Sequence, residues 1–436
     1  MSRIRAWRVA LIVLAAVVCG LLGGFTYSMP AVQERLAWRI ADVRARIKYA
    51  LSPPEQAVFT PNPTMVAMVQ ATLAALTPTP VAPSATPETG PTPSPTPVGT
   101  ATPSPTPIPS SVLLKGGRHE YQKWNNCGPA TLAMGLSFWG WLEGQGPVAA
   151  YVKPNPRDKN VMPYELADFV GAETDLKALV RVNGEMTLLK QFIAAGLPVI
   201  IEKGFDVPGK EWMGHYELLV GYNDGASRFQ ALDSYSGDGY AEGFTLPVPY
   251  EQLEQYWRHF NYTYLVIYPS EREGDVFALL EADTDTEHNF GQAAARASNE
   301  IFALAGRDLF FAWYNRGASL VWLRDYQGAA AAFDAAFQVY ASLPPEQRPW
   351  RVFWYQTGPY FAYFFTGRYY DVINLADQTL ANTDEPALEE SFYWRARARN
   401  ALGDAAGAIE DLRTSLIWHP GFAPSLDLLQ SLGVAP

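Results

Sequence analysis

The chain has 436 residues, enough for two or three domains, and 48% of them are apolar, so its folded parts can bury substantial cores. A formal net charge of -11, with no basic stripe among aromatic residues, argues against a nucleic-acid partner. The two cysteines, Cys19 and Cys127, lie in segments of different character, which excludes a disulfide scaffold.

The N-terminal segment predicts a membrane anchor. Arg3, Arg5 and Arg8 precede an uncharged run over residues 9–25. At ~1.5 Å per residue, this run is near the lower limit for crossing a hydrocarbon core of ~30 Å. A cleaved signal peptide is the alternative, but the run is long for one and no Ala-x-Ala site follows. We expect residues 1–29 to form a cytoplasmic head and a transmembrane helix.

Residues 30–51 predict an amphipathic helix on the membrane surface, with an ordinary solvated connector as the alternative. Apolar residues recur at three- and four-residue spacing between arginines, at Val32, Leu36, Ile40, Val43 and Ile47. Because basic residues flank the predicted span on both sides, the positive-inside rule is nearly balanced. The short basic head and the linker that follows favour a single-pass protein of the cell membrane with extracytoplasmic globular domains.

Residues 52–112 predict a disordered linker rich in Pro, Thr and Ser, as in the run 91–97. Proline fixes φ and removes backbone donors, so we expect no helix or sheet there, apart from a short helix in the apolar patch 65–76. Such a chain is an extended spacer that holds the globular part away from the bilayer.

Residues 113–270 combine helical and strand patterns. Helices are predicted at 131–139 and 188–195, and strands at 198–202, 216–222, 228–232 and 262–268. The turn signal Asn223–Ser227 lies between the second and third strands and predicts a β-hairpin. A helix followed by an antiparallel sheet predicts an α+β domain.

Residues 271–436 are alanine-rich, and their pattern predicts an all-α domain with an internal repeat. Trp313 and Gly317 are followed at regular spacing by Tyr326, Ala329, Phe333 and Ala336. The second half of this pattern recurs at 367–376 and 403–420. The positions resemble the tetratricopeptide repeat, although the intervals are longer than its usual length of about 34 residues. A generic array of helical hairpins is the alternative.

One set of residues is suited to nucleophilic catalysis. Cys127 begins a predicted helix, whose N-terminus favours a thiolate. His215 begins one strand of the hairpin and Asp233 ends the other, so the carboxylate is placed to orient the imidazole towards Cys127. Gln122 is placed to direct its amide at an oxyanion. Taken singly, each residue also has a structural interpretation: a buried thiol, a strand-edge histidine or a turn aspartate.

This order of residues resembles the papain-like C39 cysteine peptidases, and more closely the stand-alone C39-like group than the bacteriocin-processing transporters. The resemblance rests on Gln122–Ala130, on Gly214–Tyr216 with the strand to Tyr222, and on Leu232–Ser234. It covers the predicted α+β domain.

The resemblance implies a role for each candidate residue. Cys127 would be the nucleophile, His215 the general base and acid, Asp233 the orienting residue and Gln122 the oxyanion donor. Gln122 stands one position closer to the cysteine than is usual in the papain-like pattern. Glu217 is charged where such domains usually carry an apolar residue. Strand alternation places it on the face of His215, towards the cleft, and a solvent-facing carboxylate is the alternative.

The remaining histidines have no matched partners in the sequence pattern: His119, His259, His288 and His419. Because no His/Cys cluster has metal-ligand spacing, we expect no metal and no cofactor. The sequence also lacks a Walker A motif, and with it the ATPase of the transporter-linked C39 proteins. Processing of double-glycine leaders therefore does not follow from the resemblance.

The sequence as a whole predicts a membrane-anchored extracytoplasmic cysteine peptidase. Its substrate would be a peptide or protein, cleaved through a Cys-His-Asp triad, and its repeats would bind a protein partner. One alternative is an inactive papain-like domain that acts with the repeats as a scaffold. Another is a thiol acyltransferase or amidase that uses the same residues.

Overall fold

A computed structural model describes Val18, Arg39 and residues 43–61, 108–206, 211–235 and 245–436. Apart from Val18, the predicted anchor at 9–25 lies outside the described residues, as do 62–107 of the predicted linker. Of the predicted amphipathic segment, the described residues 43–51 are helical. Within the described ranges, no helix is both long enough and apolar enough to cross a membrane.

The chain divides into two units, which comprise residues 1–54 with 381–386 and residues 55–380 with 387–436. In the first unit, Nη1 of Arg44 lies 2.7 Å from Oε1 of Glu385. In the same unit, Nζ of Lys48 donates a hydrogen bond of 2.8 Å to the carbonyl of Ala381. These two contacts join the helical residues 43–51 to the short segment 381–386.

The second unit contains a seven-stranded sheet, counted over the described residues, in which every pairing is antiparallel. The strands are β1 (Ser111–Leu113), β2 (Leu176–Arg181), β3 (Val199–Phe205), β4 (Met213–Asn223), β5 (Arg228–Leu232), β6 (Leu246–Pro249) and β7 (Tyr264–Pro269). Their order is β2-β7-β3-β4-β5-β6, and β1 pairs with β4. The α+β class expected for this region is confirmed.

Helices cover both faces of this sheet. They are α1 (Cys127–Ser137), α2 (Gln145–Val152), α3 (Pro163–Glu173), α4 (Met186–Ala194), α5 (Tyr250–Arg258) and α6 (Glu273–Leu280). Leu132 and Leu136 of α1 pack with Leu218 on one face, and Phe192 of α4 packs with Leu219 on the other. Because both faces are covered, β4 is buried along almost its whole length. Each such Leu or Phe contributes about 1.5–3 kcal/mol through burial.

The hairpin predicted around Asn223 is confirmed. β4 and β5 pair antiparallel, with Asn223 opposite Arg228. The side-chain oxygen of Asn223 accepts a hydrogen bond of 3.0 Å from the amide of Ala226, and Ser227 adopts a left-handed conformation with φ 47°. An asparagine that bonds to its own turn favours the hairpin. The turn sets the register that places the start of β4 beside the end of β5.

The C-terminal region is helical, as expected. Its helices are α7 (Thr286–Ala303), α8 (Gly306–Trp322), α9 (Tyr326–Ser342), α10 (Val352–Tyr355), α11 (Gly358–Phe365), α12 (Tyr369–Ala381), α13 (Glu389–Ala401), α14 (Ala405–Trp418) and α15 (Ala423–Ser431). α8 packs against α9, and α13 packs against α14. A β-carbon on Gly317 would lie 2.8 Å from the ring of Phe333, so α8 and α9 meet at a position that requires a small residue.

The helical region fits a repeat. Asp325 caps α9 by accepting from the amide of Gly328 at 2.9 Å, and Asp404 caps α14 by the same bond to Gly407 at 2.9 Å. Caps of this type stabilise a helix by about 1 kcal/mol. The tetratricopeptide assignment itself stays a prediction.

The expectation that no regular structure forms in 52–112 is wrong at both ends of that range. At its N-terminal end, Pro54–Gln56 form a short 3-10 helix. Ser111 and Val112 belong to β1, and the amide of Leu114 continues the pairing with a 2.8 Å bond to the carbonyl of Val220. Phe59 is buried, and its ring centroid lies 4.7 Å from that of Phe337. The proline-rich composition did not reveal that a short strand and a single aromatic side chain find partners far along the chain.

Candidate active site

Cys127 is the first residue of α1. Asn125, two residues earlier, has a positive φ of 55°, and this turn brings the polar loop into the helix. Pro129 lies in the first helical turn, where a missing N–H costs nothing because the first amides have no partner within the helix. The thiol therefore lies at the positive end of a helix, which stabilises its anion.

His215 and Asp233 meet at the open end of the hairpin. Nε2 of His215 lies 3.1 Å from Oδ1 of Asp233, and both side chains are almost fully buried. The same carboxylate oxygen accepts a 2.7 Å bond from the amide of Tyr235. Nε2 of His119 contacts the carbonyl of Asp233 at 2.7 Å. The carboxylate is thus held in place before it orients the imidazole.

The Cys127 thiol and the His215 imidazole are close enough to interact, and each favours the charged form of the other. Because Nε2 faces the carboxylate, Nδ1 is the ring nitrogen left for the sulfur. The backbone of Tyr216 also favours the thiolate. The three sequence-predicted residues Cys127, His215 and Asp233 are therefore brought together in the order thiol, imidazole, carboxylate.

The electrostatics of the site favour an ion pair. Burial opposes the Cys127 thiolate, but the hydrogen bond and charge of His215, with smaller contributions from Tyr216 and Lys153, outweigh it and lower the pKa of the thiol. Burial also opposes the imidazolium, yet the charge and hydrogen bond of Asp233, followed by those of Cys127, raise the pKa of His215 to about 10. Between these two pKa values the pair exists as thiolate and imidazolium.

Gln122 is fixed to the end of the hairpin. Its backbone N–H donates a 2.9 Å hydrogen bond to the carbonyl of Ser234. Its side-chain Oε1 accepts a 3.0 Å hydrogen bond from the hydroxyl of Ser234. Because the oxygen is occupied, the NH2 group is the part of the side chain that remains for a ligand. The role of Gln122 as an oxyanion donor stays a prediction.

Gln145 organises the loop before Cys127 and was not identified from the sequence. It is buried at the start of α2, and its Oε1 accepts from the amide of Lys123 at 2.7 Å and from Nδ2 of Asn126 at 3.0 Å. Its Nε2 donates to the carbonyl of Tyr121 at 2.8 Å. A buried glutamine with both ends satisfied holds this loop in one conformation.

Lys153 was also missed. Its ammonium group donates a 2.7 Å bond to the carbonyl of Asn125, beside the nucleophile. Burial lowers the pKa of Lys153 to about 8, against the opposing charges of Asp158 and Cys127. Nothing in the spacing of the sequence marks a lysine so far from the motif as a neighbour of the thiol.

Glu217 is fully buried, so the alternative of a solvent-facing carboxylate is wrong. It forms an ion pair of 2.8 Å with Nζ of Lys203, which lies opposite His215 in the β3–β4 register. Burial raises the pKa of Glu217, and the charge of Lys203 opposes that rise. Asp233 and Cys127 are the main causes of the raised pKa of His215. Glu217 is not among them, and its carboxylate is paired with Lys203.

Aromatic rings enclose the imidazole. Phe205 stacks on His215 with 4.9 Å between ring centroids and an interplanar angle of 25°. Tyr235 meets the same ring edge-on at 6.4 Å. These contacts exclude water from the His215–Asp233 bond and restrict rotation of the imidazole.

The helical region supplies one wall of the site. The ring of Tyr355 of α10 lies against Gly214, and the charge of Cys127 contributes to a raised pKa of this tyrosine. Nζ of Lys159 lies 5.7 Å from the ring centroid of Trp124 and 5.6 Å from that of Trp354. The segment α10 therefore borders the site from a part of the chain that the C39-like resemblance does not cover.

The expectation that the other histidines lack matched partners is wrong. His259 accepts a 3.0 Å bond from Nε1 of Trp212, and burial lowers its pKa to about 4. His419 contacts two carboxylates, as described below, and Nε2 of His288 lies 3.8 Å from Asp283. These partners are distant in sequence or belong to another secondary-structure element, so the local spacing of residues does not reveal them.

The comparison with known protein families agrees with the sequence resemblance. Residues 117–265 match the model of the Peptidase_C39 like family. The solved structure of a candidate C39-like peptidase from Bacillus anthracis is 17% identical, with coverage of 36% of this chain and 96% of that one and a TM-score of 0.30. No curated protein matches the chain. The family match carries the assignment: residues 117–265 form a C39-like domain of the Peptidase_C39 like family.

Proposed function

We propose that the chain is a cysteine peptidase in which Cys127, His215 and Asp233 form the catalytic triad. The observation that carries this proposal is the buried 3.1 Å contact between the imidazole of His215 and the carboxylate of Asp233. It is supported by the interaction of the same imidazole with the Cys127 thiol, which lowers the pKa of that thiol. A nucleophile, its base and an orienting group in hydrogen-bond contact are what covalent catalysis requires.

In the proposed reaction, the Cys127 thiolate attacks the carbonyl carbon of a peptide bond, and the carbonyl electrons move to oxygen. The His215 imidazolium then gives its proton to the leaving amine as the C–N bond breaks, which leaves a thioester on Cys127. His215 next removes a proton from water, whose oxygen attacks the thioester carbon. The C–S bond then breaks, which releases the acid product and leaves the Cys127 thiolate beside the His215 imidazolium.

The oxyanion that forms in each step needs donors. The NH2 group of Gln122 is the side-chain candidate, since its oxygen already accepts from Ser234. The unpartnered amides in the first turn of α1 are backbone candidates at the same place. Both kinds of donor are held by the fold before substrate arrives, so they need no reorganisation during the reaction.

We place this peptidase at the cell membrane. The basic head and the uncharged run at 9–25 would anchor the chain, and the proline-rich stretch would hold the catalytic domain at a distance from the bilayer on the outer side. Its substrates would be peptides or proteins. The helical region would shape the cleft through α10 and offer its remaining surface to a protein partner.

The test is labelling of the full chain with a peptidyl acyloxymethyl ketone, followed by a screen for peptide hydrolysis. Cys127→Ala and His215→Ala are expected to lose both labelling and hydrolysis. The matched controls, Cys19→Ala and His288→Ala, are expected to retain both.

Labelling of the wild-type chain no faster than a free thiol, together with no hydrolysis, would support the scaffold alternative instead. Transfer of the acyl group to an added amine in preference to water would support the acyltransferase.

A further inference from the structure

A second cluster of ionisable groups lies where the C39-like domain meets the helical region. Asp158 comes from the loop between α2 and α3, Glu389 begins α13, and His419 follows the end of α14. The same contact includes a backbone bond of 3.3 Å from the amide of Lys159 to the carbonyl of Ala387. Side chains from three separated parts of the chain therefore converge at one point.

The three side chains have the geometry of a ligand set. Nδ1 of His419 lies 3.1 Å from Oε1 of Glu389 and 3.4 Å from Oδ2 of Asp158. One ligand atom from each residue lies within 4.8 Å of the others. Two ligands at ~2.0–2.1 Å from a tetrahedral zinc ion are separated by roughly 3.3 Å. The observed separations from the imidazole nitrogen match that value without any rearrangement.

Charge at this point is poorly compensated. Asp158 and Glu389 are at most 1% exposed, and Oε2 of Glu389 has no hydrogen-bond donor among the described residues. The carboxylates of Glu165 and Glu390 also act on His419. Among the described residues, the charges of His419 and Lys153 act on this cluster, so two positive groups face four carboxyl groups. A buried carboxylate without a partner is costly, and a divalent cation would remove that cost.

We propose that Asp158, Glu389 and His419 bind a divalent transition-metal ion, with zinc as the ion best suited to the set. Zinc accepts imidazole nitrogen and carboxylate oxygen as ligands, whereas calcium and magnesium take oxygen ligands. The ion replaces the proton on Nδ1 of His419 and ties the loop before α3 to α13 and α14. Its role is structural, because it fastens the helical region to the domain that carries Cys127.

The experiment measures zinc uptake by the full chain in a Cys127→Ala background, because the Cys127 thiol and His215 are themselves potential zinc ligands. The protein carries no histidine tag, is stripped with a chelator, and is then titrated with Zn²⁺. Bound metal is counted by elemental mass spectrometry, and the thermal unfolding midpoint is recorded with and without Zn²⁺. We expect one tightly bound ion per chain and a higher midpoint in its presence.

In the same background, His419→Ala and Glu389→Gln are each expected to weaken zinc binding at least about tenfold. Loss of a residue that only hydrogen-bonds to a metal ligand already has an effect of that size, and these variants remove a ligand itself. His288→Ala is the matched control and is expected to bind zinc as the parent does. Glu389→Gln keeps the shape of the side chain, so it separates ligand loss from misfolding. A parent that takes up no zinc, or equal binding by His419→Ala and His288→Ala, would overturn the proposal and indicate that protons neutralise the cluster.

Discussion

The ring of Tyr355 lies against Gly214, the residue immediately before His215. A β-carbon on Gly214 would come within 3.1 Å of that ring and within 2.7 Å of Phe260. The strand that carries the histidine thus depends on a glycine, because Phe260 of the same domain and Tyr355 of the helical region both occupy the space beside it. The helical region is therefore part of the environment of the site as well as a neighbour of the domain.

This contact predicts that Gly214→Ala destabilises the protein. The added methyl group has no space, and overpacking of this kind costs about 1–3 kcal/mol in the free energy of unfolding. Gly146→Ala is the matched control, because a β-carbon there meets nothing within 4 Å and the residue lies in α2. Alanine there is expected to stabilise the helix by up to about 1 kcal/mol. Urea unfolding measures both, and equal effects would contradict the steric explanation.

The lowered pKa of Cys127 predicts that its alkylation persists into mildly acidic solution. The thiolate is the reactive form, and an ordinary thiol loses it below about pH 8.5. His215→Ala removes the largest stabilising interactions of the thiolate, so the midpoint of the rate profile is expected to move to higher pH. The measurement is the rate of iodoacetamide labelling against pH in a Cys19→Ala background.

Asp224→Ala is the control for charge on the same hairpin, since Asp224 lies in the exposed turn and pairs with Lys190. It is expected to leave the alkylation profile unchanged. A profile for His215→Ala that coincides with that of the parent would mean that the imidazole does not stabilise the thiolate.

The orientation of Gln122 predicts that Gln122→Ala lowers kcat and leaves KM nearly unchanged. Loss of one oxyanion donor lowers kcat by about 10²–10³ in comparable sites, because the donor acts only once the oxyanion forms. Gln230→Ala is the control, since Gln230 lies on β5 and pairs with Thr245. Steady-state kinetics on a cleaved peptide measures the effect. A rise in KM alone would indicate that Gln122 binds substrate.

The buried pair of Lys203 and Glu217 predicts a large and pH-dependent loss of stability in Lys203→Met. Removing one partner leaves an uncompensated buried charge, which costs about 3–5 kcal/mol. Because burial raises the pKa of Glu217, the loss is expected to be largest at high pH. It should diminish as pH falls through that pKa and the carboxyl takes up a proton. Denaturant unfolding over a pH series measures this dependence.

Lys203→Met/Glu217→Leu is expected to recover most of that stability, since a well-packed apolar pair can replace a buried ion pair. Lys177→Met tests an exposed pair, that of Lys177 with Glu273, and is expected to leave the stability almost unchanged because solvent screens such a pair. If Lys203→Met behaves like Lys177→Met, the ion pair does not stabilise the sheet.

Local patterns were sufficient for the elements that position the candidate site. Two strand-like runs and the asparagine turn between them predicted the hairpin, and the change from polar to apolar sequence at Cys127 predicted α1. These signals are local because strand and helix periodicities and turn chemistry act within a few residues. They also placed His215 and Asp233 at the same end of the hairpin, where the structure has them in contact.

What the sequence by itself determined is therefore an α+β domain of the C39-like family, a helical C-terminal region, and the three side chains that meet at the start of α1. Only the tertiary structure decided that Tyr355 borders the site, that Glu217 pairs with Lys203, and that Asp158, Glu389 and His419 converge. These contacts join residues on neighbouring strands or on elements that are far apart in the chain. They arise when apolar faces pack together, and no local pattern of residues records which distant side chains that packing brings together.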